Sequence, residues 1–150
     1  MERQSKVNKP LILAACCSFA AAAAHLLCIV FGGDWYRFFG AGEEMATMAE
    51  QGHWYPTVVT LIISGILIVW ALYALSGAGI IKRLPLLRIG LCAITSVYLL
   101  RGIGFIAITP FFPENGLTFW LVSSGICSII GLLYAIGVKQ RWATLSTTTG

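Results

Sequence analysis

Long apolar stretches alternate along this chain with short polar ones. Four apolar runs cover residues 11–31, 57–76, 86–108 and 117–138. Each is about 20 residues, the length in which a helix crosses a hydrocarbon core of about 30 Å. None shows the apolar–polar alternation of an outer-membrane barrel strand. The pattern therefore predicts an all-α membrane protein, a four-transmembrane-helix bundle forming a single domain over residues 1–150. The first run continues through "HLLCIVF", past the roughly 7–15 apolar residues of a signal-peptide core, and is expected to be a retained helix.

Between the first two runs lies a long connection, "DWYRFFGAGEEMATMAEQGHWYP". On a 3.6-residue period Phe38, Ala41, Met45, Met48 and Ala49 fall on one face and Glu43, Thr47, Glu50 and Gln51 on the other. This predicts a short amphipathic helix in the first outer loop, about 37–51, packed over the bundle as a lid. Trp35, Tyr36, Trp54 and Tyr55 flank it, residues that favour the headgroup level. The inner connection "SGAGIIKRLPLLR" is short and places Pro85 at the start of the third helix. The second outer loop, "TPFFPENGLTF", carries two prolines and an Asn-Gly turn. The end of the chain, "TLSTTTG", is polar and expected to be disordered. Ser64-Gly65-Ile66 is echoed by Ser124-Gly125-Ile126, the mark of a duplicated hairpin or of recurrent apolar composition.

Composition sharpens this picture. Hydrophobic residues make up 58% and charged residues 11%, against about 25% charged in a soluble domain. The net charge of +4 is distributed unevenly. Basic residues gather at Arg3, Lys6 and Lys9, at Lys82, Arg83 and Arg88, and at Lys139 and Arg141. Asp34, Glu43, Glu44, Glu50 and Glu114 occupy the alternate loops. Positive loops stay on the cytoplasmic side, so both termini are expected there, with the acidic loops outside. Basic residues split among short juxtamembrane segments exclude a nucleic-acid partner.

Known chemistries leave few traces. The five cysteines all fall in apolar runs without a Cys-x-x-Cys pair, which reads as small packing residues rather than thiol–disulfide chemistry. His25 and Cys28 lie one turn apart without further ligands, so no metal is assigned. "GAG" at 40–42 and 77–79 lacks the strand–helix setting of a phosphate loop. His53 is a lone loop histidine. No catalytic residue and no cofactor is assigned.

One polar layer stands out. His25 lies six residues before the outer end of the first run and Arg101 seven before that of the third, about 9–11 Å deep. Ser64, Ser123 and Ser124 fall at nearly the same depth, with Tyr98 one turn below Arg101. An arginine well inside a span costs about 2.5–3.5 kcal/mol and is normally paired. Asp34, Glu43 and Glu44 are the candidate partners, in a bidentate pair that would pin the lid to the bundle. The competing readings are an arginine that snorkels to the headgroups, or one that serves as an architectural clamp. The functional reading takes Arg101, His25, Tyr98, Ser64 and Ser124 as ligand-binding. It expects a protein that binds a lipid or small amphiphile, or serves as accessory subunit of a membrane complex. Membrane lipids and a homo-oligomer or larger assembly are the partners. A small proton-coupled transporter using His25, and a lipid-modifying membrane enzyme, are the alternatives.

The segments "GDWYRFFGAGEEMA", "WYPTVVT", "LYALSGAG", "LPLLR" and "YLLRG" resemble a group of small four-span bacterial inner-membrane proteins of unassigned function. The resemblance covers nearly the whole chain. It implies a multi-pass protein of the bacterial inner (plasma) membrane and carries no activity. Small multidrug transporters resemble it poorly, because their first-span glutamate is missing. Quinone-linked thiol oxidases do so too, for want of their cysteine pair.

Overall fold

The computed structural model describes residues 7–146. Arg3 and Lys6 of the first basic cluster, and residues 147–150 of the polar tail, lie outside the described residues. The element order is α1 (Lys9–Phe31), α2 (Gly33–Phe38), α3 (Glu43–Glu50), α4 (Trp54–Ala78), α5 (Leu87–Ile103), α6 (Phe105–Ile108), a 3₁₀ turn (Thr109–Phe111) and α7 (Leu117–Ser146). No strand occurs among the described residues.

Helix ends follow from local chemistry. Asn8 caps α1, its Oδ1 accepting the Leu11 N–H at 3.0 Å, and Pro10 sits in the first turn, where its missing N–H costs nothing. Gly79 closes α4 in the left-handed region. α1, α4 and α7 are each long and apolar enough to cross a membrane.

Two sequence expectations are corrected. The apolar run 86–108 is not one helix: α5 stops at Ile103, and α6 with the 3₁₀ turn leaves it at 69°. Gly104 stands at the break, two residues after Gly102 of α5, and Pro110 prevents the helix from resuming in register. Counted as one span, the bent pair brings the number of candidate spans to four. The surface helix expected over 37–51 is likewise two helices, because Gly40 (φ +71°) and Gly42 (φ +94°) turn the chain between them.

α1 packs along α4 and α5 along α7, each pair antiparallel, and the two pairs meet chiefly through α1 and α7. The faces that meet are small. Ala14, Ala15, Ala22, Ala71, Ala74 and Ala78 are buried, with Leu11, Leu91 and Tyr134 filling the gaps. Val69, Ile89, Ile103, Ile129 and Leu132 point outward instead. This inverts the soluble pattern and suits lipid, where close backbone contact supplies the cohesion. A Cβ added at Gly102 would stand 2.3 Å from Ser128 Oγ and 3.0 Å from its backbone nitrogen, so only glycine lets α5 approach α7 there.

One chain of hydrogen bonds threads all four long helices. Tyr134 of α7 donates to the Trp70 carbonyl of α4 (3.0 Å), which leaves its oxygen to accept from Ser18 of α1 (3.1 Å). Ser18 in turn accepts from Tyr98 of α5 (2.9 Å). Trp70 also meets Tyr98 edge to face and Tyr98 stacks on Tyr134, with ring centroids 5.1 and 5.6 Å apart. At the basic end, Arg83 donates to the Thr144 and Leu145 carbonyls (3.0 and 2.5 Å) and Arg141 to that of Ala78 (3.0 Å). These cations meet the negative ends of helix dipoles.

Tyr134→Phe is expected to cost about 1–3 kcal/mol, the weight of unpaired buried groups, read from unfolding in a denaturing-detergent titration. Gly102→Val should cost about as much by overpacking. Gly125→Ala, whose added carbon meets nothing within 4 Å, should be close to neutral. Equal behaviour of the two glycine variants would disprove the close contact.

Candidate functional site

Arg101 occupies the last turn of α5, just before the break. Its place there follows from the early end of the helix: the cation sits against a helix C-terminus rather than midway along a span. It is half-buried. Nη2 reaches Ser123 Oγ of α7 at 3.5 Å, and the guanidinium carbon lies 5.3 Å from the centre of the Trp120 ring. Trp120, Ser123 and Ser124 share one face of α7 by their spacing. Trp120 and Ser124 are almost wholly buried, at 3% and 4% exposure.

Among the described residues, three buried side-chain polar atoms find no partner: Arg101 Nη1, Trp120 Nε1 and Ser124 Oγ. All belong to this corner of the α5–α7 pair. Arginine and tryptophan nitrogens donate only, and the serine hydroxyl donates readily. Leaving such a group unpaired costs about 1–3 kcal/mol. The corner is thus rich in donors and poor in acceptors.

The remaining residues of the expected layer are engaged elsewhere. His25 donates from Nδ1 to the Ala21 carbonyl one turn back (2.8 Å), and Ser64 donates to the Ala22 carbonyl of α1 (3.4 Å). Both belong to the α1–α4 pair. Tyr98 is buried and bonded to Ser18. The layer is therefore split between the two helix pairs, and only Arg101, Ser123 and Ser124 come together, joined by Trp120.

The lid is not pinned by Arg101. Arg37 of α2 takes the carboxylates: Glu43 by two bonds (2.8 and 2.6 Å), Glu50 by two (2.5 and 3.3 Å) and Asp34 by one (3.4 Å). Glu44 has no ion pair among the described residues. A cation three to thirteen residues away closes a shorter loop than Arg101 would, at lower entropic cost. Below this hub Tyr36 bonds Thr60 of α4 (3.0 Å) and Ala46 is fully buried, which seats the cap on the bundle. Asn115 of the second outer loop donates to the Gly40 carbonyl (3.0 Å), and Phe112 lies 6.4 Å from Trp120. Cap and loop together cover the acidic end.

Arg37 hydrogen bonding holds the Glu43 and Glu50 carboxyls below their ordinary value of 4.5, and the two carboxylates raise the Arg37 guanidinium in return. Carboxyls lowered on folding stabilise above that ordinary value, and the contribution is lost as pH falls through the depressed ones. Near-ultraviolet circular dichroism of Trp35 and Trp54, in and beside the cap, should therefore be constant near neutrality and change only as pH falls below the ordinary carboxyl value. Arg37→Leu should remove the acid transition; its persistence in that variant would disprove the hub. In comparisons with known families, curated proteins and solved structures, nothing matched the chain.

Proposed function

We propose that the chain is a four-span membrane protein that binds an amphiphile with an acceptor-rich, anionic headgroup between α5 and α7 at its acidic end. The reading takes α5 with α6 as a fourth, bent span. It places the basic end on the cytoplasmic side, by the charge of its loops, in a bacterial inner membrane. The observation that carries it is the corner of three unpartnered donors. Buried polar groups are paired in nearly all folded proteins, and the exceptions mark places where a further partner belongs. A phosphate or carboxylate supplies several acceptor oxygens and complements the guanidinium in charge. An apolar tail fits the outward-facing aliphatic surface of α5 and α7 beside it. His25, bonded within its own helix, favours binding over proton-coupled transport.

The test is the lipid that copurifies in mild detergent, identified by mass spectrometry. Wild type should retain an anionic amphiphile. Trp120→Phe keeps the ring and removes only the N–H, and should weaken retention about three- to tenfold. Arg101→Gln should weaken it about 10- to 100-fold. Equal retention by all three proteins, or none by wild type, would sink the proposal.

A further inference from the structure

The basic end of the same helix pair holds a second feature. Between α5 and α7 runs a groove of about 500 Å³, open to the side and mostly apolar within. Cys92, Thr95 and Ser96 of α5 form one wall, and Ala135, Val138 and Trp142 of α7 the other. Thr95 and Ser96 spend their hydroxyls on carbonyls one turn back, at 2.7 and 2.9 Å, so the walls ask for no polar ligand. The mouth differs. Lys139 stands on the lining, exposed and without an ion pair or hydrogen bond among the described residues. One turn further, the Arg88 guanidinium lies 3.5 Å over the Trp142 ring and donates to Ser146 (2.6 Å).

The two cations differ from Arg83 and Arg141 at the same end. Arg83 and Arg141 serve helix carbonyls, whereas Lys139 and Arg88 flank an apolar slot. Among the described residues no acidic side chain lines that slot. A tryptophan beside it is the residue that marks headgroup depth. The charge is therefore complementary to an anion at the rim, and the slot to a hydrocarbon chain below it.

We propose that this groove is a docking site for an anionic phospholipid of the surrounding bilayer. Its phosphate meets Lys139 and Arg88, and one acyl chain lies between α5 and α7. The inference takes from the proposed function only that these helices lie in a bilayer; it is independent of the corner at Arg101, at the other end of the pair.

The experiment is native mass spectrometry of the full chain in a neutral detergent, titrated with phosphatidylglycerol or phosphatidylcholine. Wild type should bind phosphatidylglycerol in preference. Lys139→Gln should weaken that binding about fivefold, the weight of one interfacial cation towards an anionic lipid. Ala135→Leu fills the slot without changing charge and should also weaken it. Lys82→Gln removes an equal charge outside the groove and should leave it unchanged. Equal binding of the two lipids would overturn the proposal, and so would losses as large in Lys82→Gln as in Lys139→Gln. Loss on Arg101→Gln with none on Lys139→Gln would move the anionic lipid to the other site and overturn this one alone.

Discussion

A single run of hydroxyls holds the four long helices in one arrangement. Tyr98 donates to Ser18, Ser18 to Tyr134, and Tyr134 to the Trp70 carbonyl, so that α5, α1, α7 and α4 each contribute one link. Elsewhere the helices meet through many alanines, serines and glycines with leucines and isoleucines filling the gaps, contacts that are less directional than a hydrogen bond. The tyrosines supply that direction, because each hydroxyl reaches its acceptor at only one orientation of its helix. Fixing α5 against α1 and α7 in turn fixes which residues of its last turn face inward, and so where Arg101 points.

The long helices were legible because hydrophobic length is a coarse property, and some of their ends carry a chemical mark. Asn8 with Pro10, His53 with Pro56, and Gly79 stand where α1 and α4 begin and end. What misled was continuity. An apolar run through Phe105 and Ile108 reads as one helix by hydropathy, yet Gly102 and Gly104 break it, and no average over a window registers two glycines. The surface helix failed in the same way. Its amphipathic period is real from Glu43 to Glu50, but the period cannot say that Gly40 and Gly42 adopt positive φ.

Depth counting found Arg101, Ser123 and Ser124 and assigned them too many companions. Equal depth places residues on one slice without placing them on one face. His25 and Ser64 share the slice but turn to the carbonyls of α1. Trp120 was passed over because a tryptophan near the start of a span reads as an interfacial anchor; its position four residues before Ser124 was the available signal. Arg37 was missed for a plainer reason. The carboxylates were matched to the unusual arginine, when an ordinary one stood closer in the chain.

The two helix pairs come out unequal in how their polar groups are used. In α1 and α4, Ser18, His25, Thr60 and Ser64 all have partners within the bundle. The unpartnered donors lie instead on α5 and α7, and so does the apolar slot flanked by Lys139 and Arg88. α5 is also the broken helix, which α6 and the 3₁₀ turn leave at 69°. The α1–α4 pair is also tied to the cap, through the Tyr36–Thr60 hydrogen bond. Both proposed binding sites lie on the half whose backbone is interrupted. A headgroup entering beside Arg101, as proposed, would meet donors that have no partner and would need to break no hydrogen bond of the α1–α4 pair.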